Sequence, residues 1–231
     1  MITKAMKNSR IAFMTIVIVT LSSCSSGKNR LGMASEEGIN KVKELVRAHV
    51  NPDENKIYRL QWKEDRDERK LDNILTHIDV DYIDKNDKDY SLSINLKDGE
   101  FVPDEPRKSP RDLYSYEYST PIDLADITVA DIQRMTQEGH DLFSTQEDAK
   151  EYEMKSVEAY VFYIRPVDKR DIDLWKKSES CKTEHKELNF SFQLNYIKKD
   201  EQPEVRGRHT WTNYYTIPFT VNKEGKVEIK E

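Results

Sequence analysis

The pentapeptide HIDVD puts His77, Asp79 and Asp81 at alternate positions. Alternate side chains on a strand share one face, so an imidazole and two carboxylates would point the same way, a donor set that suits a divalent metal. The intervening Ile78 and Val80, continued by Tyr82, form an apolar set on the other face. An ordinary half-buried strand with a solvated polar side has the same pattern, and that reading is preferred. In CKTEH, Cys181 and His185 stand four apart, a spacing that lets two ligands share a zinc ion on a helix. A zinc site needs four ligands, or three and water, and no second pair is evident. Nothing nearby orients His185 as a base for a Cys181 nucleophile, so the pair reads as solvated loop or edge.

The run DKNDKD offers Asp84 and Asn86 to a calcium loop, but Asp89 stands where that loop needs glycine and Asn95 where it needs its closing acid. The chain has no glycine-rich phosphate loop, no GxSxG and no HExxH. No catalytic residue, metal site or cofactor is therefore expected. Tyr114, Tyr116 and Tyr118 alternate with polar residues in YSYEYS. Exposed, such a ladder is an adhesive stripe for a partner or a sugar, because tyrosine gives contact area at low entropic cost; as an edge strand it packs inward. These three are the candidate partner-binding residues. Trp211, Tyr215, Ile217, Phe219 and Val221 share one strand face and read as core.

Composition narrows the classes further. The 231 residues carry 37 lysines and arginines against 43 acids, a net charge of minus 6, with 35% charged and 36% hydrophobic residues. Nucleic acid is excluded as an expected ligand, since phosphate binding needs a basic stripe. The seven glycines are about 3% of the chain against a usual 7% or so, a scarcity that weighs against the tight backbone approaches of enzyme loops.

The first 23 residues hold Lys4, Lys7 and Arg10, no acid, and the apolar run Ile11 to Leu21. At about 1.5 Å per residue that run is too short to span a bilayer core of about 30 Å. It reads as a secretory leader, and its removal takes the net charge from minus 6 to minus 9. Leu21-Ser22-Ser23-Cys24 resembles the lipobox of bacterial lipoproteins, in which a peptidase cuts before the cysteine after its thiol has joined diacylglycerol. The resemblance implies lipidation, palmitate included, at Cys24 and membrane residence without a spanning helix, because two or more acyl chains anchor stably. Ser25 stands where the family's inner-membrane retention signal has Asp, which implies the outer membrane. Cys181 is then the only free thiol, and no internal disulfide is expected.

Behind the leader, 24–34 reads as a lipidated tether, 35–103 as a first unit, 104–120 with its prolines as a linker, and 121–231 as a second unit. Ser35 can cap a helix carrying Ile39, Val42, Leu45, Val46 and Val50. Strands follow at Ile57 to Trp62, Ile74 to Ile83, Tyr90 to Leu96 and Glu100 to Val102. Thr128 and Asp131 can box a second helix, followed by strands at Val157 to Arg165, Leu188 to Ile197, Thr210 to Val221 and Lys226 to Ile229. VDYIDKND from Val80 parallels LNYIKKDE from Leu194. The expected fold class is α+β, with two tandem α-β-β-β-β units, each a helix packed on a curved antiparallel sheet. That element order resembles the cystatin-like architecture and, as a tandem pair, the layout of proteinaceous β-lactamase inhibitors. The cystatin inhibitory loop Gln-x-Val-x-Gly is absent, so protease inhibition is not implied.

The expectation is a non-enzymatic envelope lipoprotein, bound to membrane through Cys24, whose body binds a protein partner. It would serve as an accessory part of an envelope or secretion machine, or as an immunity-type inhibitor that captures a toxic enzyme. The rival class is a surface hydrolase or carbohydrate-binding lipoprotein, which needs carboxylates about 5–10 Å apart in a cleft or exposed aromatics in a groove.

Overall fold

The computed structural model describes residues 30–64, 71–206 and 209–230. The leader, Cys24 and the first part of the tether lie outside the described residues.

Helix α1 (Glu36–His49) starts where Ser35 Oγ accepts the Gly38 amide at 3.0 Å, with Glu36 and Glu37 in the first turn and Arg47 and His49 in the last. Those charges complement the helix dipole. Its buried face is Ile39, Val42, Leu45 and Val46, and Asn51-Pro52 closes it. Strands β1 (Asn55–Lys63), β2 (His77–Asp84), β3 (Asp89–Lys97) and β4 (Glu100–Pro103) follow as an antiparallel meander. Asp84 Oδ1 ties the β2–β3 turn by accepting the Asn86 and Lys88 amides, each at 2.8 Å.

The short β5 (Arg107–Lys108) folds back on β3. Helix α2 (Val129–Ser144) is capped by Thr128, whose hydroxyl accepts the Asp131 amide and donates to the Asp131 carboxylate. It leads to β6 (Tyr152–Tyr163). Two one-turn helices, α3 (Ile172–Lys177) and α4 (Glu179–Glu184), separate β6 from β7 (Asn189–Lys198). A side hairpin of β8 (Glu204–Arg206) and β9 (His209–Trp211) precedes β10 (Tyr215–Val221) and β11 (Val227–Ile229).

The fold is α+β. Its nine-stranded antiparallel sheet runs β11-β10-β7-β6-β1-β2-β3-β4, with β5 beside β3. The two leading strands, β1 and β6, pair at the centre, and the later strands of each half step outward. Tyr58 is the extra residue between the pairs Ile57↔Tyr82 and Arg59↔Asp81. Glu158 is the extra residue between Val157↔Leu194 and Ala159↔Gln193. Both halves thus carry a β-bulge at the same point of the ladder joining their first two strands, and bulges re-aim the strand they interrupt.

One apolar core underlies the whole sheet. Ile39, Leu60, Trp62, Ile78 and Leu92 from the first half join Tyr160, Phe192, Leu194 and Phe219 from the second. Trp62 stacks on Phe162 (5.5 Å between ring centres) and meets Tyr160 at 5.3 Å, while its Nε1 donates to Met33 O at 3.1 Å. Truncating a buried ring of this size costs about 3–5 kcal/mol.

Three features differ from the sequence reading. Residues Leu31 to Met33, assigned to the tether, already pair with 73–75 through Leu75 N→Leu31 O (2.7 Å) and Met33 N→Asn73 O (3.0 Å), because Met33 is fully buried. Residues 104–120, assigned to a linker, are fixed to the body by Ser109 N→Asp89 O on β3 and by Ser115 N→Val167 O in the segment after β6. The run from Thr210 to Val221 is broken between Trp211 and Tyr215, and Tyr215 is exposed, while Phe219 is buried in the core with Ile217 and Val221 against it; the Trp211 side chain lies outside the described ones.

Gly139 in α2 faces Phe192, and a Cβ there would come within 2.8 Å of the ring. Glycine to alanine inside a helix ordinarily gains up to about 1 kcal/mol. Here Gly139→Ala is expected to lose about 1–3 kcal/mol through overpacking, measured by chemical denaturation; a stabilised variant would contradict the packing.

Candidate functional site

The core packs against the sheet face that carries Leu60, Trp62, Tyr160 and Phe192, and the opposite face is laid out in cross-strand rows. One row reads Asn95, His77, Lys63, Ala159, Gln193, Pro218. The next reads Ser93, Asp79, Gln61, Val161, Ser191, Thr220, and a third Ser91, Asp81, Arg59, Tyr163, Asn189. Neighbours within a row are about 4.8 Å apart and rows about 6.8 Å apart.

The half of this face on β1, β2 and β3 is internally bonded. Asp79 accepts from Lys63 at 3.0 Å, from Ser93 at 2.8 Å, and meets His77 Nε2 at 2.8 Å. Asp81 accepts from Ser91 at 2.6 Å and Arg59 at 3.3 Å, and Arg59 also donates to Gln61. His77 Nδ1 meets Asn95, which donates onward to Asp104 at 2.9 Å. Burial works to raise the Asp79 pKa, but the bonds from His77, Ser93 and Lys63 overcome it and hold the carboxyl below the usual range. A carboxylate so firmly ionised cannot serve as a proton donor near neutrality. His77, Asp79 and Asp81 therefore share a face, as their spacing predicts, and each is engaged with protein groups.

The half on β6, β7 and β10 differs. Ala159 and Val161 are low, flanked by Gln61 and Lys63 on β1 and by Gln193 and Ser191 on β7. They floor a depression of about 280 Å³ that Pro218 and Lys230 also line. Among the described residues the side chains of Ser191, Gln193 and Lys230 have no hydrogen-bond partner, in contrast to His77, Asp79 and Asp81 on β2. One end of the depression is closed by a buried network: Asn195 donates to Glu158 (3.0 Å) and Ser156 (3.1 Å) and accepts from Thr216 (2.8 Å).

Beyond the depression, past Val161 on β6, the face turns aromatic. Tyr58, on its bulge, donates to buried Asp89 at 2.9 Å and packs edge-on against Tyr114 (5.4 Å) and Tyr163 (6.5 Å). Burial lifts the Asp89 pKa, and the nearby Asp81 and Asp112 charges add to it against the opposing Tyr58 bond. Burial likewise raises the Tyr58 phenol.

The three candidate tyrosines do not line one stripe. Tyr114 joins the Tyr58 cluster; Tyr116 lies under Lys56 Nζ (4.5 Å) with its amide on Asp87; Tyr118 meets Trp175 edge-on at 5.2 Å with Lys176 above it. Residues 116–118 form a turn held by these separate contacts, so alternation does not translate into a shared face. His185 donates from Nδ1 to Arg165 O at 2.8 Å, and Cys181 is half-buried in α4 with no bond to that ring. Among the described residues no cluster of three or more His, Cys, Asp or Glu could hold a metal, and no helix is long and apolar enough to cross a membrane. The depression residues Gln61, Ala159, Val161 and Gln193 escaped the sequence reading; their only signal is small residues at alternate positions of a strand.

The chain matches no family model, no curated protein and no solved structure.

Asp79→Asn is expected to destabilise the fold by about 1 kcal/mol at pH 7, a figure reduced for the network's partial exposure. The folded pKa lies below the unfolded value of about 3.9, so the stabilisation is present above that value and lost as pH falls through the folded pKa. Denaturation curves of wild type and variant should therefore converge only below about pH 4; a gap constant down to pH 2 would contradict the assignment.

Proposed function

We propose that the chain is a non-enzymatic lipoprotein of the bacterial envelope, anchored by acyl chains on Cys24 and directed to the outer membrane, whose folded body binds another protein. The lipobox-like Leu21-Ser22-Ser23-Cys24 supports the anchor. The observation that carries the binding reading is the one-sided covering of the sheet. The core and both long helices use one face and leave three rows of side chains on the other as a rigid platform.

The body is read as two α-β-β-β-β units, 35–103 and 121–231, joined edge to edge through their first strands. The matched bulges at Tyr58 and Glu158 support this reading: with them superposed, the β1–β2 ladder from Lys56 onward and the β6–β7 ladder from Ser156 onward have the same register, while β6–β7 shifts once more between Met154 and Ser156. The acidic net charge suits either version of the function, an accessory part of an envelope or secretion machine or an immunity-type inhibitor meeting a basic cleft. The hydrolase reading needs one protonated and one ionised carboxyl across a cleft. On this face Asp79 is held ionised, and Asp81 is paired with Arg59.

Acyl labelling and membrane fractionation test the anchor: Cys24→Ala is expected to abolish label and leave the protein unprocessed, and undiminished label on that variant would refute it. Affinity capture from envelope extracts and secreted protein, with the whole mature chain as bait, tests the binding. A one-to-one protein partner is expected; turnover of a cell-wall glycan with no such partner would overturn the reading in favour of a hydrolase or carbohydrate binder.

A further inference from the structure

The central strand β6 carries small side chains where its neighbours carry long ones. Ala159 is buried and Val161 half-buried, between Gln61 and Lys63 on one side and Gln193 and Ser191 on the other. The walls stand two strand spacings apart, about 10 Å, and from Ala159 to Val161 the floor runs about 7 Å. One extended chain fits that width, with about three residues over the floor. The floor accepts small apolar side chains, and the Gln61 Nε2, the Gln193 amide and the Ser191 hydroxyl present both donors and acceptors to a passing main chain.

Charge sets the remaining requirement. Lys63 lies in the row that leads through Ala159, Gln193 and Pro218 to Lys230, whose backbone amide donates to Pro218 O at 2.9 Å. Lys63 already serves Asp79, whereas Lys230 has no ion-pair partner among the described residues. Gln61 Oε1 is taken by Arg59, and Glu158 in the same lining accepts from Asn195. The cation of Lys230, with the Gln193 amide and the Ser191 hydroxyl beside it, is therefore the group that fits an anion on the incoming chain. A sugar chain fits less well, because the floor is aliphatic and the one ring on this column, Tyr163, is turned against Tyr58.

We infer that the slot along β6 is the seat for an extended peptide segment of the protein partner, with small apolar residues on Ala159 and Val161, main-chain bonds to Gln61, Gln193 and Ser191, and a carboxylate at Lys230. This rests on the protein-binding reading and specifies what the partner presents.

The test uses the whole mature chain in detergent micelles, panned against a random eight-residue peptide library prepared with free and with amidated C-termini. Enrichment of peptides with small apolar residues and a carboxylate is expected, and survival of binding after amidation assigns the carboxylate to Asp or Glu rather than to the terminus. In fluorescence polarisation with the enriched peptide, Val161→Trp should weaken binding at least tenfold and Gln193→Ala/Lys230→Ala about tenfold. The double variant changes exposed or half-buried groups and keeps the decision available should Val161→Trp fail to fold. Absence of enrichment, equal binding by the double variant with an unchanged melting temperature, or binding of a neutral glycan that Val161→Trp blocks would each overturn the inference. A captured protein partner that binds wild type and double variant alike would leave the binding reading standing and remove the slot.

Discussion

The pairing of β1 with β6 is the contact on which the molecule depends. It joins the halves into one sheet, and it brings Trp62 onto Phe162 and Tyr160 at the centre of one core. Without that seam each half is a four-stranded meander with its inner edge bare, and the aromatic stack loses its second side. The seam also fixes the working face. Because Leu60 and Trp62 point to the core, Arg59, Gln61 and Lys63 must point away from it, and the same alternation sends Ala159 and Val161 outward beside them.

That outward face is asymmetric in a way the shared ladder geometry does not require. The bulge in the first half presents Tyr58 to a buried carboxyl, and the columns beyond it are a saturated lattice of Lys63, Asp79, Ser93 and His77. The bulge in the second half presents Glu158 to Asn195, and the columns beyond it leave Ser191 and Gln193 unbonded among the described residues. A saturated lattice gains little from a ligand, since new bonds only replace existing ones. The unsaturated half is where association can add bonds, which is why the proposed contact is assigned to it and not to the saturated half.

Much of the architecture is legible from local chemistry. Ser35 and Thr128 announce their helices, and alternation in β2, β3, β6 and β7 gives each buried face. Two things escape. The central pairing joins segments far apart in the chain, with no turn chemistry to signal it, and period-two alternation is blind to a slip of two residues. Aligning VDYIDKND with LNYIKKDE sets Val80 against Leu194, whereas under the proposed two-unit reading, with the bulges at Tyr58 and Glu158 superposed, Val80, opposite Leu60, falls with Phe192, opposite Tyr160. The YSYEYS run misleads for the reverse reason: its alternation is real, but Lys56, Asp87 and Trp175 hold its rings apart. The slot is the least legible feature, because alanine and valine on a strand carry no chemical signature until their neighbours are known.

The seam has a kinetic side as well. Lys63 and Ala159 touch across the sheet although about a hundred residues of chain separate them, and closures of that span are slow. A polypeptide that emerges from its N-terminus displays the β1 border, tryptophan included, before the segment that covers it has been made or delivered. Such a border invites a strand from any neighbouring molecule. Survival of the newborn chain is therefore governed less by the finished sheet than by how long its first half waits for the second, and a shielding chaperone is most needed during that wait.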